Sequence, residues 1–187
     1  NDTISAGHFH AEASGQAMDI AAIALAELGN ICERRTYTLV DGEFGLPHFL
    51  IEDSGLNSGF MIMQVSAAAI ASENKTYAHP STIDSIPTGA GQEDHVSMAP
   101  WAGRKLLKMV ENVEKLYTIE ILSACQAIDL RKGLSPAKHL KSIVDEVRKE
   151  VPFLSQDRYM KSDQEYVLEL IRSGTIVSIV EQNLKLK

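Results

Sequence analysis

Cysteine is scarce in this sequence: Cys32 and Cys125 are the only two among 187 residues. They lie far apart, and neither belongs to a CxxC pair or to the dense, even spacing of a secreted disulfide scaffold. The simplest expectation is therefore a protein with reduced thiols in a cytoplasmic setting.

Long apolar runs and an excess of basic charge are also lacking. No stretch approaches the roughly 18 uninterrupted apolar residues that a membrane span requires. Lys and Arg number 18 against 25 Asp and Glu, a net charge of −7, so the composition offers no basic face for nucleic-acid phosphates or anionic lipid. We expect neither nucleic acid nor membrane as a partner.

Apolar residues recur at helical spacing along most of the chain, as Ile20, Ile23, Ala24 and Leu28 do. The pattern predicts long helices over about residues 11–35, 58–77 and 95–130, and shorter ones over about 136–150 and 162–184. Gly174 marks an end or a kink in the last of these. No strand-like alternation recurs, so the expected fold class is all-α, a long-helix bundle in a single domain over residues 1–187.

Turn and capping residues predict the helix boundaries. Glycine and proline mark two loops, residues 36–57 and 79–91. Ser135 and Pro136 have the types expected of an N-cap and a first helical residue. Ser162 and Glu165 have the spacing of a capping box.

Histidines at the start of the chain and after the second loop could resemble a metal site. His8 and His10 could combine with His95, which follows Asp94. Two histidines spaced by two residues do not share a helix face, however, and no cysteine or acidic cluster joins them. Metal binding is not favoured, and we expect no metal.

Glu93 and Asp94 are the most suggestive chemical feature of the sequence. A carboxylate on a loop beside a buried helix can act as a base or bind a cationic substrate group. Two acids before a helix can equally stabilise its positive end. The residues alone leave both interpretations open.

Several segments together resemble the histidine ammonia-lyases, a branch of the aromatic amino acid lyase family. Residues 54–61 (SGLNSGFM) with 67–75 (AAAIASENK) are similar to a signature segment of that branch, and residues 84–88 (DSIPT) with 92–98 (QEDHVSM) are similar to its next block. Residues 7–10, 33–35 and 45–50 extend the resemblance over nearly the whole chain.

The resemblance implies elimination of ammonia from L-histidine to give trans-urocanate. Members of the family use a methylidene-imidazolone, formed from an Ala-Ser-Gly tripeptide, which draws electron density from the substrate while a base removes a β-proton. This chain contains Ala13-Ser14-Gly15, but directly after residues 7–10 rather than far upstream of them. We interpret this tripeptide as a helix start and expect the cofactor to come from outside this chain.

The resemblance also assigns site residues. Glu93 resembles the active-site glutamate of the family and Phe9 its substrate-facing phenylalanine, whereas His10 and Gln92 lie beside them and are expected to support their positions. Relatives acting on phenylalanine or tyrosine tend to carry an amide in place of Glu93. A carboxylate can accept a hydrogen bond from an imidazole N–H, although an aminomutase could keep it as well.

Two departures from the family pattern lie next to Phe9. His8 stands where the family usually has asparagine, and Ala6 stands where it has serine or glycine. These differences put the contacts around Phe9 in doubt.

The expected partners follow from the resemblance. The chain is similar to the C-terminal, all-helical portion of the enzyme, so activity would need an N-terminal lyase segment or subunit that carries the cofactor. Members of the family are homotetramers, so apolar helix faces exposed on one chain would be interfaces. The alternatives are a non-catalytic helical assembly or scaffold protein derived from the same fold, or a related aromatic amino acid lyase or aminomutase.

Overall fold

The computed structural model describes residues 2–4 and 8–183, apart from the side chains of Phe9 and Asn183. This part of the chain forms six α-helices and no β-strand, which confirms the all-α fold class. Isolated bridges join Ser54 to Asn57 and Thr88 to Glu93. The helices are α1 (Glu12–Val40), α2 (Met61–Tyr77), α3 (Ala99–Leu130), α4 (Lys138–Val147), α5 (Lys161–Arg172) and α6 (Thr175–Asn183). None of the described helices is long and apolar enough to cross a membrane.

Helix α1 continues to Val40 rather than ending near residue 35, so the predicted loop over residues 36–57 was wrong in its first part. Val40 is buried in a hydrophobic core and Leu39 packs against that core, which stabilises the extra turn. Gly42 then ends the helix with a φ of 88°. A Cβ at this position would lie 3.0 Å from Nδ1 of His48, so both conformation and space favour glycine.

Both predicted helix caps were wrong. Helix α4 starts at Lys138 with Ala137 as its N-cap, two residues after Pro136, and no side chain caps it. Helix α5 starts at Lys161, so Ser162 lies inside the helix instead of capping it. The acidic side chain of that turn, Asp163, is buried and pairs with Arg158 at 2.6 Å. Arg158, just before the helix, therefore pairs with Asp163 in this turn, and no side chain caps the helix.

The other helix boundaries shift by a few residues. Helix α2 begins at Met61 rather than 58, and α3 begins at Ala99 rather than 95. Gly174, with a φ of 75°, separates α5 from α6. The predicted helix over residues 162–184 is thus two helices, and its residue 184 lies outside the described part.

The chain divides into two compact units, one of residues 1–30 and 71–113, the other of residues 31–70 and 114–187. The expected single domain over residues 1–187 stays a prediction. Each unit has its own hydrophobic cluster. The first is centred on Ala22, Ala26 and Met109, and the second, larger cluster includes Leu50, Leu116 and Leu122.

A buried ion pair organises the first unit. Asp19 on α1 and Lys105 on α3 approach to 3.3 Å, and each side chain is only 4% exposed. Asp19 Oδ2 also accepts hydrogen bonds from the Ser81 N–H (2.8 Å), the Thr82 N–H (2.9 Å) and the Thr82 hydroxyl (2.9 Å). Lys105 donates to the carbonyl of His79. This cluster, which we call the Asp19 clamp, fixes residues 79–82, where the long loop after α2 begins.

In the second unit, the buried side-chain amide of Gln126 organises the loops around α3. Gln126 on α3 is 1% exposed. Its Nε2 donates to the carbonyls of Leu50 (3.0 Å) and Leu154 (2.9 Å), and its Oε1 accepts from the Leu154 N–H at 3.1 Å. One side chain therefore binds two separate loop segments to α3, and its buried polar atoms are all paired.

A distant aspartate holds the start of α2. Asp157 accepts hydrogen bonds from the N–H groups of Ser58 (2.7 Å) and Gly59 (2.8 Å), and its own N–H donates to the side chain of Asn57 at 3.1 Å. Backbone donors just before a helix are commonly satisfied by a nearby side chain. Here that side chain comes from almost a hundred residues away, so the signature segment 54–61 is fixed by tertiary contact.

Candidate functional site

Glu93 lies in the loop between α2 and α3, in the first compact unit. It is not at the mouth of a helix as predicted, because α3 begins only at Ala99. Its backbone pairs with Thr88 in both directions: the Thr88 N–H donates to the Glu93 carbonyl at 3.0 Å and the Glu93 N–H donates back at 3.2 Å. The side chain of Glu93 is exposed. The carboxylate is thus held on a fixed backbone and remains open to a ligand or to another part of the protein.

The turn between Thr88 and Glu93 has an unusual backbone. Gly89, Ala90 and Gly91 have φ values of 59°, 57° and 84°. For Ala90 this left-handed conformation costs about 1 kcal/mol or more. Strained residues of this kind persist where the surrounding structure holds them and often lie near functional sites. Gln92, the predicted supporting residue, is exposed and follows this turn directly.

The second predicted segment precedes α1. His8–His10 forms a 3₁₀ turn, and Ala11, with a φ of 55°, connects it to the helix. His10 is half-buried. The side chain of Phe9 lies outside the described part of the structure, as does the whole of Ala6, so the predicted role of Phe9 stays a prediction.

His95 brings the two segments together. Its Nε2 lies 3.8 Å from Oε2 of Glu12 in the first turn of α1. Its ring meets that of His10 edge to face, with 6.2 Å between centroids and an interplanar angle of 78°. The segment that carries Glu93 and the segment that carries Phe9 are therefore in contact, as the predicted assignment of both to one site requires.

A cavity of about 460 Å³ opens beside the start of α1. It is lined by His8, Ala11, Glu12, Ala13, Ser14 and Gln16. Its size is within the usual range for small-molecule sites. The first turn of a long helix presents unpaired N–H groups and the positive end of the helix dipole, which favour a negatively charged group there.

The Ala13-Ser14-Gly15 tripeptide is part of helix α1, as predicted. The Gly15 N–H donates to the Ala11 carbonyl at 2.9 Å. A Cβ on Gly15 would lie 2.8 Å from both the Cβ of Ala99 and the Cγ2 of Thr82. Close packing therefore explains this glycine, and a tripeptide held in a regular helix with its glycine packed in this way does not fit a segment that must cyclise into a cofactor.

Metal and thiol chemistry find no support in the described residues. Across residues 2–4 and 8–183, no group of three or more His, Cys, Asp or Glu side chains is arranged to hold a metal ion. Burial raises the pKa of the Cys125 thiol to about 11. Burial also raises the pKa of Cys32, and the hydrogen bond from its thiol to Glu120 at 2.7 Å adds to the effect. Neither thiol is activated as a nucleophile.

Comparison with known proteins gives the family. The sequence model of a protein family, described as aromatic amino acid lyase, matches residues 1–149 of this chain. The chain belongs to the aromatic amino acid lyase family. A histidine ammonia-lyase of Desulfotalea psychrophila is 49% identical to this aromatic lyase chain over 185 residues, which are 98% of the chain and 36% of that relative.

Solved structures agree with this membership. A crystal structure of histidine ammonia-lyase from Trypanosoma cruzi superposes with a TM-score of 0.92 at 45% identity, covering 97% of this chain and 36% of that one. A tyrosine aminomutase from Streptomyces globisporus superposes with a TM-score of 0.90 at 33% identity, covering 100% and 36%. The aromatic lyase chain thus spans about a third of the length of these relatives and corresponds to their C-terminal part.

The sequence did not predict the contact between Glu12 and His95 near the site. Glu12 was not singled out, and His95 was considered only as a metal ligand. Their contact joins positions more than eighty residues apart, and no local spacing signals it. Asp19 and Lys105 were also missed, because a charged residue on an amphipathic helix is usually solvent-exposed, whereas these two are buried as a pair.

Proposed function

We propose that this chain is the C-terminal part of a histidine ammonia-lyase, which converts L-histidine to trans-urocanate and ammonia. The observation that carries the proposal is the position of Glu93. An exposed carboxylate sits on a backbone locked to Thr88, in contact through its own loop with the segment that bears Phe9. The relatives named histidine ammonia-lyase, at 45% and 49% identity, support the assignment.

Glu93 binds the imidazole ring in this proposal. A carboxylate accepts a hydrogen bond from a ring N–H and stabilises a charged imidazole. A phenyl ring offers no donor, so a substrate with such a ring would leave the Glu93 carboxylate desolvated and unpaired, at a cost in both binding and rate. Phe9 contacts the substrate in the same pocket, with His10 and Gln92 supporting the two residues.

The complete reaction needs a part of the protein beyond this chain. The methylidene-imidazolone of the family supplies an electrophile that makes the amino group of histidine a leaving group. It would come from an Ala-Ser-Gly outside this chain, since residues 13–15 are helical and Gly15 is closely packed. This chain contributes residues that bind and orient the substrate, and the isolated chain is expected to be inactive.

The test is the ultraviolet absorbance of urocanate after L-histidine is added to the purified chain, with and without the cofactor-bearing N-terminal segment. Activity only on mixing is the expected result. The Glu93→Gln variant should then lower kcat/KM for histidine by about 10- to 100-fold, because it removes a charge-assisted hydrogen bond.

A matched control is Glu111→Gln, which changes an exposed carboxylate on α3 that pairs with Lys108. This variant should leave kcat/KM unchanged. Confirmed association of the two parts with no urocanate would overturn the proposal and favour the non-catalytic assembly protein.

A related aminomutase is the second candidate, because the tyrosine aminomutase superposes almost as closely as the lyase. An aminomutase would move the amino group from the α-carbon to the β-carbon of the same substrate. Mass and amino-group analysis of the product distinguishes the two, since the lyase product has lost its nitrogen as ammonia and the aminomutase product is an isomer of the substrate.

The assembly that we propose is a homo-oligomer, a tetramer by the resemblance. Ile20, Ile23 and Leu28 on α1 are exposed by 68%, 46% and 46% in the single chain. Apolar side chains repeated along one helix at such exposure are typical of an interface. A reducing, cytoplasmic setting fits the free thiols of Cys32 and Cys125.

A further inference from the structure

We propose that His95 is a positioning residue that aligns the Glu93 loop with the start of α1. This inference rests on the proposed function. His95 lies two residues after Glu93, so any force on its side chain acts directly on the backbone that presents the carboxylate.

The side chain of His95 makes two contacts with the opposite segment. Its Nε2 is 3.8 Å from the Glu12 carboxylate, and its ring meets the edge of the His10 ring at 6.2 Å. Edge-to-face ring pairs and contacts between an imidazole and a carboxylate are each weak on a surface. Together they act on one side chain from two consecutive turns of the same segment, which restricts its direction more than either contact alone.

The backbone on both sides of His95 makes such a restraint effective. The His95 N–H donates to the Asp94 carboxylate at 2.9 Å, and the Val96 N–H donates to the Ser85 hydroxyl at 3.0 Å. These bonds and the pairing of Thr88 with Glu93 hold the loop together between Ser85 and Val96. The contacts of His95 with His10 and Glu12 connect this loop to the segment at the start of α1.

A positioning role predicts a particular kinetic change. Glu93 and Phe9 bind the ring of the substrate both before and during the reaction, so loss of their alignment weakens uniform binding. The His95→Gln variant, measured in the protein with its cofactor-bearing part, should raise KM for histidine by about three- to tenfold and change kcat by less than about twofold. Its thermal midpoint should stay unchanged, because His95 is half-exposed.

Further variants separate this role from a general structural one. His95→Phe keeps a ring against His10, so it should raise KM for histidine less than His95→Gln does. Glu12→Gln should also raise KM. The double variant Glu12→Gln with His95→Gln should raise KM by less than the product of the two single effects, because both substitutions remove the same contact. His48→Gln changes an exposed histidine of the other unit and should leave KM unchanged.

Amide hydrogen exchange tests the contact without relying on catalysis. In His95→Gln, exchange should accelerate in both residues 8–12 and residues 84–98. An unchanged KM in an active protein, independent effects of the two single variants, or unchanged exchange in both segments would overturn the role of His95. Absence of urocanate from the unmodified protein would instead overturn the proposed function, and the exchange measurement would still decide the His95 contact.

Discussion

At the scale of single residues, Gly59 leaves little room for a side chain. Its φ is +50°, and a Cβ would lie 2.4 Å from the Phe49 carbonyl oxygen and 3.0 Å from the Cβ of Ile51. The neighbouring N–H groups of Ser58 and Gly59 are held by Asp157, so the loop cannot move away without breaking these bonds. The glycine of the signature segment is therefore required by backbone contact.

Gly59→Ala should destabilise the chain by at least about 2 kcal/mol, from the left-handed backbone and the overlap with Phe49 together. Gly45→Ala is the matched control: its φ is +74°, but nothing lies within 4 Å of the added Cβ. It should cost only about 1 kcal/mol. Urea unfolding of both variants measures the difference, and equal losses would contradict the overlap.

At the scale of elements, the Asp19 clamp connects two helices and the start of the long loop. Burial alone would raise the pKa of Asp19, but the hydrogen bonds from Thr82 and Ser81 and the contact with Lys105 outweigh it and lower this pKa below its usual 3.8. A lowered pKa in the folded state means that the folded protein releases this proton more readily than the unfolded chain. The clamp therefore stabilises the fold above about pH 4, and this contribution is lost as the pH falls towards the pKa of the folded state.

Asp19→Asn should cost about 3–5 kcal/mol near neutral pH, because it leaves the buried Lys105 ammonium without its partner. The difference from the unmodified chain should shrink as the pH is lowered from about 5 to about 2, since the protonated Asp19 no longer pairs either. Denaturant unfolding across this range measures both effects.

Asp145→Asn serves as the control, because Asp145 forms an exposed pair with Lys141 one helical turn away. It should change the free energy of unfolding by less than about 0.5 kcal/mol. A loss at Asp19 as small as this, or one that does not vary with pH, would argue against the clamp.

The helices themselves could be predicted from the sequence, because apolar spacing alone determines which stretches are helical. Their ends could not, since local spacing does not show which contacts fix them. Asp157, for example, holds the start of α2 from almost a hundred residues away. Likewise, Glu93 was predicted through the family resemblance, whereas the contact of His95 with Glu12 depends on how α1 and the loop pack together.

At the scale of the whole molecule, the exposed apolar side chains of α1 predict that copies of this chain associate through this helix. We expect the purified chain to self-associate, and Ile20→Lys combined with Leu28→Lys to shift it towards the monomer without loss of helix, because both side chains point to solvent in the single chain. Light scattering after size exclusion measures the mass, and circular dichroism measures the helix content.

Leu140→Lys is the control for this prediction. Leu140 is 54% exposed on α4, in the other unit, and its replacement should leave the mass unchanged. A monomeric unmodified chain at micromolar concentration, or an equal effect of the control, would show that the α1 face is not the interface.

The amide of Gln126 has a consequence for the length of the chain. The match to the family model ends at residue 149, yet Gln126, inside the match, bonds twice to Leu154, beyond it. Removing the residues after 149 would break the two hydrogen bonds that the buried Gln126 amide makes with Leu154. Residues 150–160 thus supply hydrogen-bond partners to α3. A relative without them would need another donor and another acceptor for this amide.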